Sequence, residues 1–428
     1  MLLGVSAFCQ NKPTVSVYGF VRNFSTYDSR LGKAGTAELY YYVPQDRSLN
    51  SAGEDLNAVP SFKMAAITSR IGLNASWKND FMTVKGKIET DFYSGLSGVT
   101  GTATLRLRQA YLDLLFKDCD IRMGQAWHPM AADMPDCIAL EIAVPFGPFS
   151  RTPQLTANYH YGEHFYATLS LLGQMQYTSS GPEGASANYI KYAATPEVYL
   201  GLNYVNGGFL ARIGGNMLSI KPRYKGTADG VESLVSDRLE TFSGFLFLQY
   251  KKDLFSVKLK SVLAQAGEHM NMLGGYGISA KFDGAGGDGH YEYTPTLTTS
   301  SWMSLTYGKA LKGSLLLGYA RNLGTLTDLL EIEEGCGLVD SKQNYLAKNT
   351  YSNLNSTFRI APMASYSIGP FTVALEYTLS AAEYGEFQSY TSVAGTTYTQ
   401  CVSRNGLAQT NLHWILNHRL QLMTKFTF

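Results

Sequence analysis

Two things this chain lacks narrow its class: charge and long apolar runs. Charged side chains make up 16% of its 428 residues, against about 25% in a soluble domain. No stretch approaches the about 18 consecutive apolar residues that a membrane helix needs, so apolar content is spread out rather than blocked. Basic and acidic residues nearly cancel, 35 against 34, leaving a net charge of +1. That balance argues against a polyanionic partner such as nucleic acid. Catalytic constellations are missing too. There is no His-Glu-x-x-His motif, phosphate-cradling loop or Gly-x-Ser-x-Gly elbow, and the seven histidines are scattered. His160 and His164 are four apart but flank a turn, which does not read as a metal pair. The expectation is a non-enzyme without a cofactor, in one domain with no internal repeat or linker.

What the chain has in plenty is two-residue alternation. From Asn411 to Phe428, Leu412, Trp414, Leu416, Leu420, Leu422, Phe426 and Phe428 occupy one parity, while His413, Asn417, Arg419, Gln421 and Lys425 occupy the other. One face suits lipid and the other water. Such a segment exceeds the five or six residues usual for soluble strands and suits a tilted strand of about 9–11 residues crossing a bilayer, plus an extension beyond it. Phe428 at the carboxyl terminus resembles the terminal assembly signal of bacterial outer-membrane barrels, which implies the barrel assembly machinery as a partner. Aromatics at 13% and 42 glycines fit interfacial girdles and many tight turns. A soluble all-β protein could share that composition, so the alternation carries the argument.

The fold class expected is all-β: a transmembrane antiparallel β-barrel with short periplasmic turns and long extracellular loops. Short joints occur at Lys78-Asn79-Asp80, Lys117 to Asp120, Gly162-Glu163-His164, Asn206-Gly207-Gly208, Lys251-Lys252-Asp253, Gly308 to Gly313 and Gly369-Pro370. Longer connections alternate with them. Segments number sixteen if Asn411 to Phe428 is one strand. The apolar face runs in phase through Asn417-His418-Arg419, and bacterial single-chain barrels have even strand numbers, so sixteen is preferred. A barrel of that size leaves room for an aqueous channel. Residues 1–9, apolar and ending in Ala7-Phe8-Cys9, read as the remnant of a signal peptide, and 10–428 as the barrel.

Parity also sketches the lumen. Arg70, Arg106, Arg108, Arg122, Arg212, Arg359 and Arg419 fall on water-facing positions, joined by the acidic Glu89, Asp91 and Glu376. Two readings stay open for the arginines: an ion-pair network with Glu89 and Asp91, or an electropositive ladder that concentrates anions. Arg22 and Arg321 fall on the apolar face, with Tyr18 and Phe20 and with Leu315, Leu317 and Tyr319 respectively, and are expected at headgroup level or a subunit contact. Residues 129–152 form the expected inward-folded constriction loop, with Ile138, Leu140 and Ile142 against the wall. Its Asp133, Asp136 and Glu141 would face wall arginines, and Arg151 closes the segment. Cys336 and Cys401 lie in the last two long loops, neighbours on the rim, where a disulfide is expected; sequence does not fix connectivity.

Several motifs carry a family resemblance. Leu105-Arg106-Leu107-Arg108-Gln109-Ala110-Tyr111, Met123-Gly124-Gln125-Ala126-Trp127, Pro145-Phe146-Gly147 and Arg151-Thr152-Pro153-Gln154 resemble the DcaP-like outer-membrane porins. Ser69-Arg70-Ile71-Gly72 and Glu89-Thr90-Asp91-Phe92 fit the same pattern. The resemblance covers about a third of the chain. It implies a homotrimer whose arginine-rich constriction passes small anions such as dicarboxylates by passive diffusion. No heptads follow Gln10, so trimer formation through an amino-terminal coiled coil is not expected. The other partners implied are outer-membrane lipid and lipopolysaccharide, with divalent cations as bridges at Glu331-Ile332-Glu333-Glu334. The competing class is a surface barrel, an adhesin or receptor whose loops do the work above a plugged lumen.

Overall fold

The computed structural model describes residues 12–35, 40–93, 103–138, 144–173, 178–346 and 352–428. The signal-peptide segment, Leu140, Glu141 and Ile142 lie outside the described residues. Sixteen antiparallel strands form one closed wall. We number them β1 (Thr14–Asp28), β2 (Ser61–Ala65 continuing as Arg70–Lys78), β3 (Thr83–Tyr93), β4 (Thr104–Leu115), β5 (Cys119–Trp127), β6 (Arg151–Tyr161), β7 (Phe165–Leu172), β8 (Glu197–Asn206), β9 (Phe209–Ile220), β10 (Leu239–Lys252), β11 (Phe255–Gln265), β12 (Tyr291–Gly308), β13 (Leu311–Thr325), β14 (Leu354–Ile368), β15 (Phe371–Glu386) and β16 (Thr410–Thr427). Each pairs with its chain neighbour, and β1 also pairs with β16, from Phe20 opposite Thr427 to Asp28 opposite Arg419. Asn417, His418 and Arg419 are paired mid-strand with Ser380, Leu379 and Thr378, so the last segment is one strand.

Why these segments form a wall follows from their two faces. On β16, Leu412, Trp414, Leu416, Leu420, Leu422 and Phe426 are 42–50% exposed, whereas Asn417, Arg419 and Gln421 are buried. The polar face thus points into the barrel and the apolar face out, the reverse of a soluble sandwich and the arrangement that lipid requires. Among the described residues no helix is long and apolar enough to cross a membrane. Phe428 closes the seam: its backbone exchanges hydrogen bonds with Gly19 at 2.9 and 3.0 Å. A Cβ at position 19 would stand 2.4 Å from the Arg70 carbonyl and 2.7 Å from the Phe428 ring, so only glycine lets the terminal aromatic lie there.

Two irregularities re-aim side chains. A register shift in the β3–β4 pair sets Glu89 opposite Gln109 but Thr90 opposite Leu107. This β-bulge lets both Arg106 and Arg108 and the following Gln109, Tyr111 and Asp113 face inward. The break in β2 centres on Thr68, whose φ of 67° is left-handed. Its hydroxyl accepts from Arg22 Nε at 2.9 Å. Arg22 is therefore a correction to the parity reading: it is 4% exposed and sits inside with Phe24. The aromatics of β1 misled the assignment, because Phe24 packs on Ile138 of the inward loop instead of on lipid. Arg321 is exposed at the loop end of β13, as expected.

The seam also carries a buried ion pair. Arg419 Nε and Nη2 donate to Asp28 at 2.9 and 3.1 Å, and Asn417 Nδ2 donates to the same carboxylate at 3.0 Å. Asp28→Ala strands a buried guanidinium and should destabilise the closed barrel by about 3–5 kcal/mol. The readout is a lower temperature for the gel-mobility shift from folded to unfolded band. An unchanged transition would mean that backbone pairing alone carries the seam.

Candidate functional site

Inward-facing side chains gather into three groups. The first is a charge knot on β2 to β4. Arg106 grips Asp91 bidentately at 2.9 and 2.8 Å, and Arg108 bridges Glu89 and Asp91 at 2.9 and 2.6 Å. Arg70 and Lys87 approach Glu89 at 3.5 and 3.7 Å, and Tyr18 donates to it at 2.9 Å. Four cations thus share two carboxylates. Arg122 pairs with Asp113 at 2.7 Å and stacks on Tyr111, away from this knot.

The second group comprises residues 128–138 and 144–150, the described parts of the loop after β5, whose contacts lie on the inner wall. It leaves β5 and crosses to the far wall, where Lys260 Nζ donates to the carbonyls of Met130 and Asp133 at 2.7 and 3.0 Å. Asp133 faces Arg212 at 3.6 Å, and Asp136 pairs with Lys258 at 3.0 Å. The loop acids therefore meet one arginine and one lysine, rather than the arginines of β2 to β5. Lys258 and Lys260 alternate with Val257 and Leu259, a signal that sequence parity contained and the candidate set missed. Next, Ile138 packs among Phe24, Met363, Ala374 and Met423, and its N–H donates to Glu376 at 3.0 Å. The return limb lies flush on the wall. A Cβ at Gly318 would fall 2.7 Å from the Phe146 ring, and one at Gly147 2.7 Å from Trp302 Nε1.

The third group is an apolar core inside the barrel. Tyr40, Tyr42 and Val43 of the first loop, Phe146 and Phe149 of the inward loop, and Met270 and Met272 of the loop after β11 pack on Phe245, Phe247, Trp302 and Leu316 of the wall. Arg359 sits beneath them, 1% exposed, donating to the carbonyls of Tyr41 at 2.6 Å, Tyr42 at 2.9 Å and Val144 at 3.1 Å. Both Arg359 and Arg419 point inward, but their contacts tie loops and seam together. Arg151 is also buried, between Trp127 and Phe149.

Outside the lumen, neither Cys336 nor Cys401 is bridged. Cys401 lies in a small loop sheet opposite Asp340, and Cys336 sits in the bend just before the strand Leu338–Asp340 of that sheet. Burial, then Asp340 and Cys336, push the Cys401 thiol up. In the acidic stretch, Glu333 accepts from Tyr390 and from the Val393 N–H, and Glu331 pairs with Arg404. Among the described residues no cluster of His, Cys, Asp or Glu is arranged to hold a metal.

One buried junction joins the loops. His128 Nδ1 accepts from the Met130 N–H, so its Nε2 carries the proton that it donates to Glu197 at 2.8 Å. His269 contacts the same carboxylate at 3.6 Å, and its neighbour Glu268 is buried. Burial pushes Glu268 up to about 7, while burial lowers His269 but Glu197 and then Glu268 hold it above the usual imidazole range. Both values are raised on folding, so the folded junction binds protons more tightly. The stability these two groups contribute is full below the ordinary carboxylate value and falls as pH rises through about 7 and past the imidazole value. Proteolytic cleavage in residues 266–290 should accelerate from pH 5.5 to 8.5, and Glu268→Gln should flatten that rise; faster cleavage at the acid end would contradict the assignment.

No family model and no curated protein matches the chain. Solved structures match along nearly its whole length. The outer membrane channel DcaP of Acinetobacter baumannii superposes with a TM-score of 0.63 at 16% identity, over 97% of each chain. Salmonella typhi OmpF, in complex with daunomycin, gives 0.53 at 11% identity over 97% of each chain. Vibrio cholerae OmpT in its trimer form gives 0.51 at 11% identity, over 98% of this chain and 100% of that one. Identities this low speak to fold, and the fold is that of the outer-membrane porins.

Proposed function

We propose that this chain is an outer-membrane porin through which small hydrophilic solutes diffuse passively, with a pore that favours anions such as dicarboxylates. The observation that carries the reading is a surplus of positive charge on the inner wall. Among the described residues, the knot sets Arg70, Lys87, Arg106 and Arg108 around Glu89 and Asp91. Arg22, Lys312 and Lys425 add three more cations nearby. The described loop acids, Asp133 and Asp136, face Arg212 and Lys258 across the lumen. In a narrow passage with low-dielectric walls, such a surplus concentrates anions. The motifs that resemble the DcaP-like porins support the same reading, and the superposition on Vibrio cholerae OmpT in its trimer form supports a homotrimer. Lipid and lipopolysaccharide would surround the apolar belt.

A second reading has an observation of its own. The apolar core between loops and wall fills part of the lumen, as a surface receptor with a plugged barrel would require. Planar bilayers separate the two. The purified protein in a KCl gradient should open in triplet steps, with a reversal potential of anion sign. Silence supports the plugged barrel, and a cation-sign potential sinks the selectivity.

A further inference from the structure

On the outer face of β6 to β10, near their turn ends, two alanines stand among the large side chains that meet lipid. Ala167 lies between Tyr159 of β6 and Leu202 of β8, and Ala211 between Tyr204 of β8 and Leu248 of β10. The surface drops there into a furrow of about 660 Å³ whose walls are almost wholly apolar. Aromatic rings flank its turn end: Tyr161 is 76% exposed, and Phe165 packs on Tyr204 with centroids 4.8 Å apart. Toward the loop end the furrow runs into a second apolar hollow of about 640 Å³ over Ala157, and the two share Tyr159, Ala167, Leu202 and Ile213.

Beyond the aromatic rings the rim turns polar. Asn206 Nδ2 donates to the Tyr204 hydroxyl at 3.1 Å. Lys251 N–H donates to the Gly208 carbonyl at 2.9 Å, which brings Lys251 and Lys252, both exposed, beside the turn that joins β8 to β9. Asp253 shares the lysines' own turn, leaving one positive charge over, and Glu163 stands in the more distant turn between β6 and β7. Shape and charge together indicate the occupant. A void on a lipid-facing wall forfeits van der Waals contacts unless an apolar chain fills it. Rings standing proud on either side of a low floor suit one narrow chain better than the broad strand face of a second barrel. An acyl chain carrying a phosphate matches the rest, with its tail in the furrow, the aromatic girdle at its neck and cations at the aqueous end.

We propose that this furrow is a specific seat for a phospholipid, with one acyl chain lying over Ala167 and Ala211 and the phosphate reaching Lys251 and Lys252. Such a lipid stays with the barrel, whereas lipid around the rest of the apolar belt exchanges freely. The inference rests on the barrel's place in the membrane and is independent of the sign of the pore.

Dioleoyl phosphatidylglycerol is the probe, titrated into delipidated protein in a mild detergent and followed by native mass spectrometry. One tightly held lipid per chain is expected above a series of weak adducts. Ala167→Leu/Ala211→Leu raises the floor to the height of its neighbours and should weaken that first lipid at least about tenfold. Ala211→Leu alone serves if the double variant does not give the heat-modifiable folded band. Lys251→Ser/Lys252→Ser should weaken it by roughly tenfold as well, the scale of two surface lysines facing an anionic headgroup. Dioleoylglycerol, which has no phosphate, should bind wild type and the lysine variant alike. A first lipid held equally by wild type and the alanine variants overturns the seat, and equal retention by the lysine variant overturns the phosphate contact. If the alanine variants lose their oligomeric state instead, the furrow is a contact between copies and the proposal falls.

Discussion

In lipid, a sheet edge leaves a row of backbone N–H and C=O groups without partners at several kcal/mol each, and the pairing of β1 with β16 removes both edges at once. Everything else in the molecule depends on that closure. It demands a carboxyl-terminal strand long enough to run from Phe20 to Asp28 on its partner, a glycine at 19 to receive Phe428, and a satisfied ion pair where Asp28 meets Arg419. It also settles the direction of every side chain. Once one face must meet lipid, polar groups have only the lumen to occupy.

A wide lumen lined with charge must then be organised. The chain sends one loop across it and fixes that loop at both walls by opposite means. On the far wall, lysines of β11 hold carbonyls and Asp136; near the seam, a carboxylate, Glu376, receives the Ile138 N–H. The return limb is then locked by shape against Trp302 and Gly318. Asp133 and Asp136 of the loop meet Arg212 and Lys258 on the far wall, away from the cations of β2 to β4. Asymmetric placement of few charges, in a chain whose net charge is +1, is what the proposed anion preference rests on.

Much of this was legible in the sequence, and the reason is physical. Lipid imposes a strict two-residue period, so β16 and its outward Leu and Trp residues could be read directly, as could the turns at Asn206-Gly207-Gly208 and Gly369-Pro370. The apolar contacts of Ile138, Phe146 and Phe149 match the apolar second half of residues 129–152 in the sequence. Legibility failed where the lumen itself becomes apolar. Phe20 and Phe24 face inward under the loop, as do Phe245 and Phe247, so those strands are apolar on both sides and Arg22 was placed on the wrong face. Arg359 could not be read as a loop anchor, since its partners are backbone carbonyls about 215 to 318 residues away in the chain. The bulge at Arg108 and Gln109 likewise leaves no mark in composition. Lys258 and Lys260 were within reach of parity and were overlooked.

The central claim is a positive potential beside the tip of the inward loop, where Cys137 lines a recess with Arg22, Arg70, Lys312 and Lys425. With every other cysteine replaced by serine, its thiol can be modified by methanethiosulfonates of similar size bearing either a sulfonate or a quaternary ammonium. The account predicts faster reaction with the anionic reagent at low salt, the two rates converging near 1 M, where screening shortens the Debye length to about 3 Å. Equal rates at low salt, or a faster cationic reagent, would contradict it.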